Sequence, residues 1–320
     1  MGFLVLGTGG SVPSRAVKND ELTLFLDTDD EWISTRTGIR ERRVCVGESI
    51  TDLAESAARA ALDMAGVKPR ELDFIICSTV RGDKAFPSLA CLLQERLSAS
   101  CAGIDINAAC AGFVYALDMA DVFMKVRGYK RVLVVCGEAM SRIVDWRDRS
   151  TCVLFGDGAG AVVLGPSDDR FISRLSVTGD WKVLYADNST GNSPYAENSE
   201  GCYVRMNGQE VYKFAVSAIE HDILYLCGRE GIRPSEVDFF LLHQANRRII
   251  DAARTRLRLP EEKFPVNIDR YGNISSATIP LLLDELNRAG ALKPGQRLLM
   301  SAFGAGLTTG SCLFRWQTKA

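Results

Sequence analysis

Three side chains in this 320-residue chain have the types and settings that nucleophilic catalysis uses. Cys110 lies in "DINAACAGF" (105–113), where the strand-like "GIDIN" gives way to the helix-like "AGFVYALDMADVFMKVRG". A thiol at such a junction meets free backbone N–H groups and the positive end of a helix, and both favour a thiolate. Its neighbours Ala108, Ala109, Ala111 and Gly112 are small enough for a substrate to come close. His243 closes the apolar run "VDFFLLH", at the C-terminal strand end where α/β proteins keep their sites. Asn273 sits in a Tyr-Gly-Asn turn within "DRYGNISSAT", and "FGAGLTTG" (303–310) reads as a glycine turn whose N–H groups face a site. Taken singly, each has a structural alternative: a core thiol, a satisfied histidine, an asparagine that merely makes a turn. His221, inside "VSAIEHDILYLCG", reads as structural.

The other nine cysteines (45, 77, 91, 101, 136, 152, 202, 227 and 312) form no C-x-x-C pair, and the chain has only two histidines. This excludes a zinc ribbon, a thioredoxin-type redox site and a His-rich metal site. A composition of 47% hydrophobic and 24% charged residues describes a globular protein, and a net charge of −2 argues against bulk nucleic-acid binding. No apolar run reaches the length of a membrane helix and the first residues lack a secretion signal, so a cytoplasmic protein is expected.

Positioning such residues requires buried strands. Runs rich in Val, Ile, Leu and Phe at 3–7, 73–79, 131–137, 237–243 and 297–303 predict them. Helical patterns at 52–65, 88–98, 111–127, 209–227, 246–258 and 277–289 separate them, which indicates α/β sheets covered on both faces. Asp52 with Glu55 suggests a capping box for the first helix. A faint duplication is also present: "GVKPRELDFIIC" (66–77) matches "GIRPSEVDFFLL" (231–242), and "RVLVVCGE" from 131 faces "RLLMSAFG" from 297. Both pairs are offset by 165 to 166 residues (66 to 231 and 131 to 297), predicting two similar α/β halves joined through an irregular polar region at 165–205. The glycine-rich "GTGGSVP" and "GDGAGAVVLG" each lack the third glycine of a dinucleotide fingerprint, so they are read as tight turns and close backbone packing.

Eight motifs in order then resemble one family along the whole chain: "DTDDEWISTRTGIRERR" (27–43), "AFPSLAC" (85–91), "NAACAGF" (107–113), "FGDGAGAVVLG" (155–165), "MNGQEVYKFAV" (206–216), "HQANRRI" (243–249), "YGNISSA" (271–277) and "FGAGLTTGS" (303–311). The chain resembles the β-ketoacyl-acyl-carrier-protein synthase III family, the initiating condensing enzymes of type II fatty-acid synthesis in the thiolase-fold superfamily. The resemblance implies a five-layered αβαβα fold of two halves, 1–168 carrying the nucleophile and 169–320 carrying His and Asn, assembled as a homodimer. It implies decarboxylative Claisen condensation of a short acyl-CoA, with acetyl-CoA preferred, onto malonyl-acyl-carrier protein, without a metal or organic cofactor. The alternatives are a same-fold condensing enzyme of a polyketide or alkylquinolone pathway, and a non-condensing binder of acyl-CoA or carrier protein.

Roles carry over residue by residue. Cys110 is the implied nucleophile, and its N–H with that of Gly306 the oxyanion hole; His243 and Asn273 are the implied donors to the malonyl thioester oxygen. Trp32, Arg36, Arg149 and Arg248 match CoA-binding positions. Phe86 matches the aromatic that narrows the acyl pocket from the partner subunit. Lys213, Arg247, Arg248, Arg254 and Arg256 are the expected docking surface for the acidic carrier protein. Ile274 and Ala305 depart from the Thr and Gly that the family often has there, which bears on pocket shape more than on chemistry.

Overall fold

Residues 2–188 and 203–317 are described in this computed structural model. Five strands form one sheet: β1 (Gly2–Ser11), β2 (Phe74–Ser78), β3 (Ala102–Ile106), β4 (Val132–Ala139) and β5 (Asp157–Ser167), in the order β1-β5-β4-β2-β3. Four more form a second: β6 (Phe171–Val177), β7 (Phe239–Leu242), β8 (Arg297–Gly304) and β9 (Thr308–Arg315), in the order β7-β8-β9-β6. The second order repeats the first without its β3 edge. In both, the strand after the repeated Asp-Phe runs parallel to its inner neighbour; the edge strand β3 is also parallel to β2, and the remaining pairs are antiparallel.

Among the described residues seven helices have eight residues or more: α1 (Asp30–Thr37), α2 (Ile50–Ala65), α3 (Leu89–Leu97), α4 (Gly112–Arg127), α5 (Gly208–Glu230), α6 (Arg247–Leu257) and α7 (Thr278–Arg288). The layers follow from which strand faces bury which helices. Phe113, Val114 and Leu117 of α4, with Ile279, Leu282 and Leu283 of α7, fill the space between the sheets against Val134, Val162, Leu298 and Met300. On the outer face of the first sheet, α2 and α3 cover Ile75, Leu133 and Val163. On the outer face of the second, α5 and α6 cover Phe240, Leu242 and Leu299. The result is α/β/α/β/α, with the inner strands of both sheets covered on both sides, as their unbroken apolar runs require.

The glycine-rich stretches serve this packing. A Cβ on Gly7 or Gly9 would stand 2.3 or 2.1 Å from the carbonyl oxygens of Ala61 or Ala57, so α2 lies directly on the β1 backbone. Gly160 likewise admits the start of α7, where a Cβ would be 2.8 Å from the Leu281 nitrogen.

The duplicated segments adopt the same local structure. Gly66 and Gly231, at φ +63 and +70, cap the preceding helices, and short 3₁₀ turns follow at Pro69–Glu71 and Pro234–Glu236. Asp73 then accepts hydrogen bonds from the Lys130 and Arg131 N–H groups, and Asp238 from the Arg297 N–H. The repeated aspartate ties each parallel strand to its neighbour.

Two sequence expectations need correction. The region 165–205 is not irregular throughout: β6 forms the edge of the second sheet, and Leu184–Ala186 pairs with Val204–Met206. Edge strands bury one face only, so "FISRLSV" carries a mixed pattern that does not read as a buried strand. Residues 189–202 of that region, Cys202 among them, lie outside the described residues. The capping box of α2 is built from Ser49 and Asp52, one turn earlier than expected, while Glu55 pairs with Arg59 and Arg96.

Candidate active site

The site is assembled by two matching turns. Cys110 stands in the 3₁₀ turn Ala109–Ala111 that starts α4, and Asn273 lies two residues before the first residue of the turn Ser275–Ala277 that starts α7. Ala109 and Ser275 both adopt φ +46, a left-handed conformation that non-glycine residues resist. The Asn107 Oδ1 accepts from the Ala109 N–H at 3.1 Å, and the Asn273 Oδ1 accepts from the Ser275 N–H at 2.8 Å. The residues correspond at the repeat spacing of 166 (107 to 273, 109 to 275). The cysteine turn and the asparagine turn are thus the two copies of one motif. The bond to Ser275 also fixes which way the Asn273 amide lies: its oxygen is engaged, so its NH₂ is the group left for a ligand.

Cys110, His243, Asn273, Phe303 and Gly306 line one cavity of about 1670 Å³, whose exposed rim includes Arg36 and Lys213. Burial pushes the Cys110 thiol up to about 12, against the lowering effect of the Ser275 hydroxyl beside it. The expectation of a resting thiolate is therefore corrected: burial outweighs the helix terminus, and the proton must leave when substrate is bound.

His243 follows β7, its N–H donating to the Ser301 carbonyl at 2.9 Å. Burial alone pushes its pKa down to about 3, so the ring is neutral at physiological pH. Its Nδ1 lies 2.7 Å from Thr278 Oγ1, its ring meets Phe303 edge-on at 5.4 Å, and its buried Nε2 has no hydrogen-bond partner.

The β8–β9 connection faces the Cys110 backbone. A Cβ on Gly304 would stand 2.7 Å from the Cys110 nitrogen, so only glycine leaves that N–H reachable. Gly306, at φ +131, likewise holds a backbone that a side chain would strain. Both N–H groups assigned to the oxyanion hole thus depend on bare glycine backbone.

Behind Cys110 lies Glu138, fully buried on β4. It accepts from Ser276 Oγ at 2.6 Å and from the Val80 N–H at 3.0 Å, yet burial raises its pKa to about 7. A raised carboxyl pKa contributes stability that is complete below the unfolded value of 4.5 and lost as pH rises through about 7. The swing is about 3 kcal/mol. Urea unfolding at pH 5 and pH 8 should therefore show the wild type losing stability relative to Glu138→Gln, which cannot ionise; parallel pH dependences of the two proteins would contradict this.

Trp32, on α1, lies under two guanidinium groups, Arg36 at 4.7 Å and Arg149 at 5.1 Å from its ring centre. Arg248, at the start of α6, stands over Tyr212 at 5.7 Å and lines the cavity. The Asn246 Nδ2 joins the two regions by donating to the Arg36 carbonyl at 3.1 Å.

The other predicted cations differ. Lys213 pairs with Glu210 on the rim, and Arg256 pairs with Glu220. Arg247 is clamped by Asp251 and Glu261 beneath Gly38, where a Cβ would stand 2.5 Å from the Arg247 Cβ; its charge is already matched. Arg254 approaches Asp251 at 3.9 Å. Phe86 is 87% exposed and does not line its own chain's cavity. Sequence reasoning missed Gly304, Thr278 and Glu138. The repeat spacing could have singled out the turn containing Ser275, and the first glycine of "FGAG" was a signal for Gly304. Among the described residues, no cluster of three His, Cys, Asp or Glu could hold a metal, and no helix is long and apolar enough to cross a membrane.

Two sheets sandwiching a pair of central helices, with a cysteine turn and an asparagine turn meeting between the halves, define a condensing enzyme of the thiolase fold. Residues 104–179 match the family described as 3-oxoacyl-[acyl-carrier-protein (ACP)] synthase III, and residues 227–316 match its C-terminal counterpart. The beta-ketoacyl-[acyl-carrier-protein] synthase III of Aquifex aeolicus is 46% identical over 99% of this chain and 100% of its own length. The crystal structure of the 3-oxoacyl-[acyl-carrier-protein] synthase III of that organism superimposes with a TM-score of 0.93, covering 98% of this chain and 100% of the other at 45% identity. The priming beta-ketosynthase from the R1128 polyketide biosynthetic pathway superimposes with a TM-score of 0.90 at 36% identity, over 99% and 96% of the two chains. The chain belongs to the beta-ketoacyl-acyl-carrier-protein synthase III family, and it is an acyltransferase of the condensing type.

Proposed function

We propose that the initiating condensation of fatty-acid synthesis runs on this chain through Cys110, His243, Asn273 and the N–H groups of Cys110 and Gly306. The Cys110 sulfur attacks the thioester carbonyl of an acyl-CoA, preferably acetyl-CoA. The two N–H groups hold the oxyanion, the CoA thiolate leaves with the thiol proton, and an acyl-cysteine remains. The thioester oxygen of malonyl-acyl-carrier protein then accepts from His243 Nε2–H and the Asn273 amide. Loss of CO2 leaves its electron pair in an enolate held by those donors. The enolate carbon attacks the acyl-cysteine carbonyl, expelling the Cys110 thiolate, which takes a proton from water to restore the thiol, and forming a 3-oxoacyl-acyl-carrier protein.

The observation that carries this reading is the convergence of Cys110, His243, Asn273 and Gly306 on one cavity, with the buried Nε2 of His243 unpartnered. The half carrying Cys110 (1–168) and the half carrying His243 and Asn273 (169–320) supply complementary parts of it. Trp32 with Arg36 and Arg149 is suited to an adenine, Arg248 to a phosphate, and Lys213, Arg254 and Arg256 to an acidic carrier. Trp32→Ala is expected to raise the KM for acetyl-CoA about tenfold while kcat stays within about twofold, since only cation–π contacts distant from the reacting atoms are lost. A lowered kcat with unchanged KM, in steady-state assays, would contradict that assignment. The reading includes a cytoplasmic homodimer in which Phe86 reaches the partner's acyl pocket, and a reaction that needs no metal or organic cofactor. Incubation with a panel of acyl-CoAs and malonyl-acyl-carrier protein, with products identified by mass, tests it: acetyl-CoA should give the 3-oxobutanoyl product, unaffected by EDTA. Failure of every primer to give a 3-oxoacyl product would overturn it.

A further inference from the structure

We propose that Thr278 is a positioning residue that sets the tautomer of His243. The imidazole is neutral, so it carries one ring hydrogen, and only the tautomer with that hydrogen on Nε2 can donate into the cavity. Thr278 Oγ1 is 2.7 Å from His243 Nδ1 and 3.1 Å from the Ser275 carbonyl oxygen. A hydroxyl has one hydrogen and these are its two acceptors. The carbonyl contact exceeds the usual hydroxyl–oxygen range of about 2.5–3.0 Å, whereas the contact to nitrogen is short. The hydroxyl hydrogen therefore goes to Nδ1, Nδ1 carries the lone pair, and the ring hydrogen sits on Nε2. That Nε2 is buried, has no partner and belongs to a residue lining the cavity, which is the state of a donor held ready for an oxygen.

The placement is built into the fold. Thr278 is the first residue of α7, 2% exposed, and follows the strained Ser275 turn that also orients Asn273. One turn thus orients both donors: through its Ser275 N–H it fixes the Asn273 amide, and through Thr278 it fixes the imidazole. A β-branched residue without the hydroxyl would fill the same space and leave Nδ1 unsatisfied. The ring hydrogen would then be free to occupy Nδ1, presenting a lone pair where the thioester oxygen arrives.

This rests on His243 acting as a donor in condensation, and the tests of the two are separable. With ¹⁵N-histidine labelling the chain gives only two imidazole spectra, His221 and His243, assigned with His221→Gln. Two-bond ¹H–¹⁵N correlation of the wild type should show His243 with its hydrogen on Nε2 and the lone pair on Nδ1; a hydrogen on Nδ1 overturns the proposal. Thr278→Val should shift the population towards the other tautomer and lower condensation about tenfold to a hundredfold, while acyl transfer from acetyl-CoA to the protein stays within about twofold. Thr278→Ser should restore both. Thr278→Val condensing at the wild-type rate overturns the proposal, and if that variant fails to fold, the wild-type spectrum decides alone. Should His243→Ala condense normally while the spectrum is as stated, the donor role of His243 fails and the tautomer assignment stands.

Discussion

Cys110→Ala should retain no label from [¹⁴C]acetyl-CoA and should lose condensation by about 10⁴-fold or more, because the acyl-enzyme is the only covalent carrier of the primer. His243→Ala should still become labelled, and should lose condensation about a hundredfold to a thousandfold, the scale for removing one oxyanion donor. The two variants separate the half-reactions. The distinction follows from position: the sulfur and the oxyanion N–H groups belong to the α4 turn and the β8–β9 connection, whereas the enolate donors belong to β7 and the α7 turn. Cys110→Ala is small for the same reason that its neighbours are, so the turn should hold its shape. Equal labelling of the wild type and Cys110→Ala would remove the nucleophile assignment, and wild-type condensation by His243→Ala would remove the donor assignment. With the thiol near 12 and the imidazole near 3, neither group changes charge between pH 5 and 9 in the resting enzyme, so a bell-shaped profile in that window cannot come from the Cys–His pair.

Much of this site could be read from residue types and motif order. Cys110 at a strand-to-helix junction, His243 at a strand end and Asn273 in a turn were placed correctly, because periodicity switches and glycine punctuation mark those points in any α/β chain. What could not be read was depth. The junction around Cys110 favours a thiolate on electrostatic grounds, but burial raises the thiol, and burial is a tertiary fact. Arg247 and Arg248 are adjacent in one basic run, yet one is clamped by two carboxylates beneath Gly38 and the other stands over Tyr212 at the cavity. Charge counting along a helix cannot separate them. The edge strand β6 escaped because a half-buried strand carries little of the hydrophobic signal that marks its buried neighbours. The internal repeat held more than was taken from it. The 166-residue spacing that relates the strands also carries Asn107 onto Asn273 and Ala109 onto Ser275, so the asparagine turn is legible as a copy of the cysteine turn.

Asn273→Asp should impair condensation more than Asn273→Ala, by about 10³-fold or more against about a hundredfold, while both retain acylation within a few-fold of the wild type. The ranking follows from the amide's fixed orientation. Its Oδ1 is held by the Ser275 N–H at 2.8 Å, a bond an aspartate preserves, so the second carboxylate oxygen must take the place of the NH₂. Asn273 is 6% exposed, and little water is available to screen that oxygen. Alanine merely withdraws a donor, leaving His243 to hold the enolate alone. Aspartate puts negative charge where the enolate's own charge develops, so the transition state is opposed as well as unsupported. Acylation should survive in both, because the donors proposed for its oxyanion are the Cys110 and Gly306 N–H groups and not Asn273. Protonation of the introduced carboxylate gives a further check: Asn273→Asp should regain part of its activity as the assay pH is lowered, whereas Asn273→Ala should not. If the two variants are equally impaired at every pH, Asn273 shapes the cavity without donating to the developing charge, and the enolate assignment falls to His243 alone.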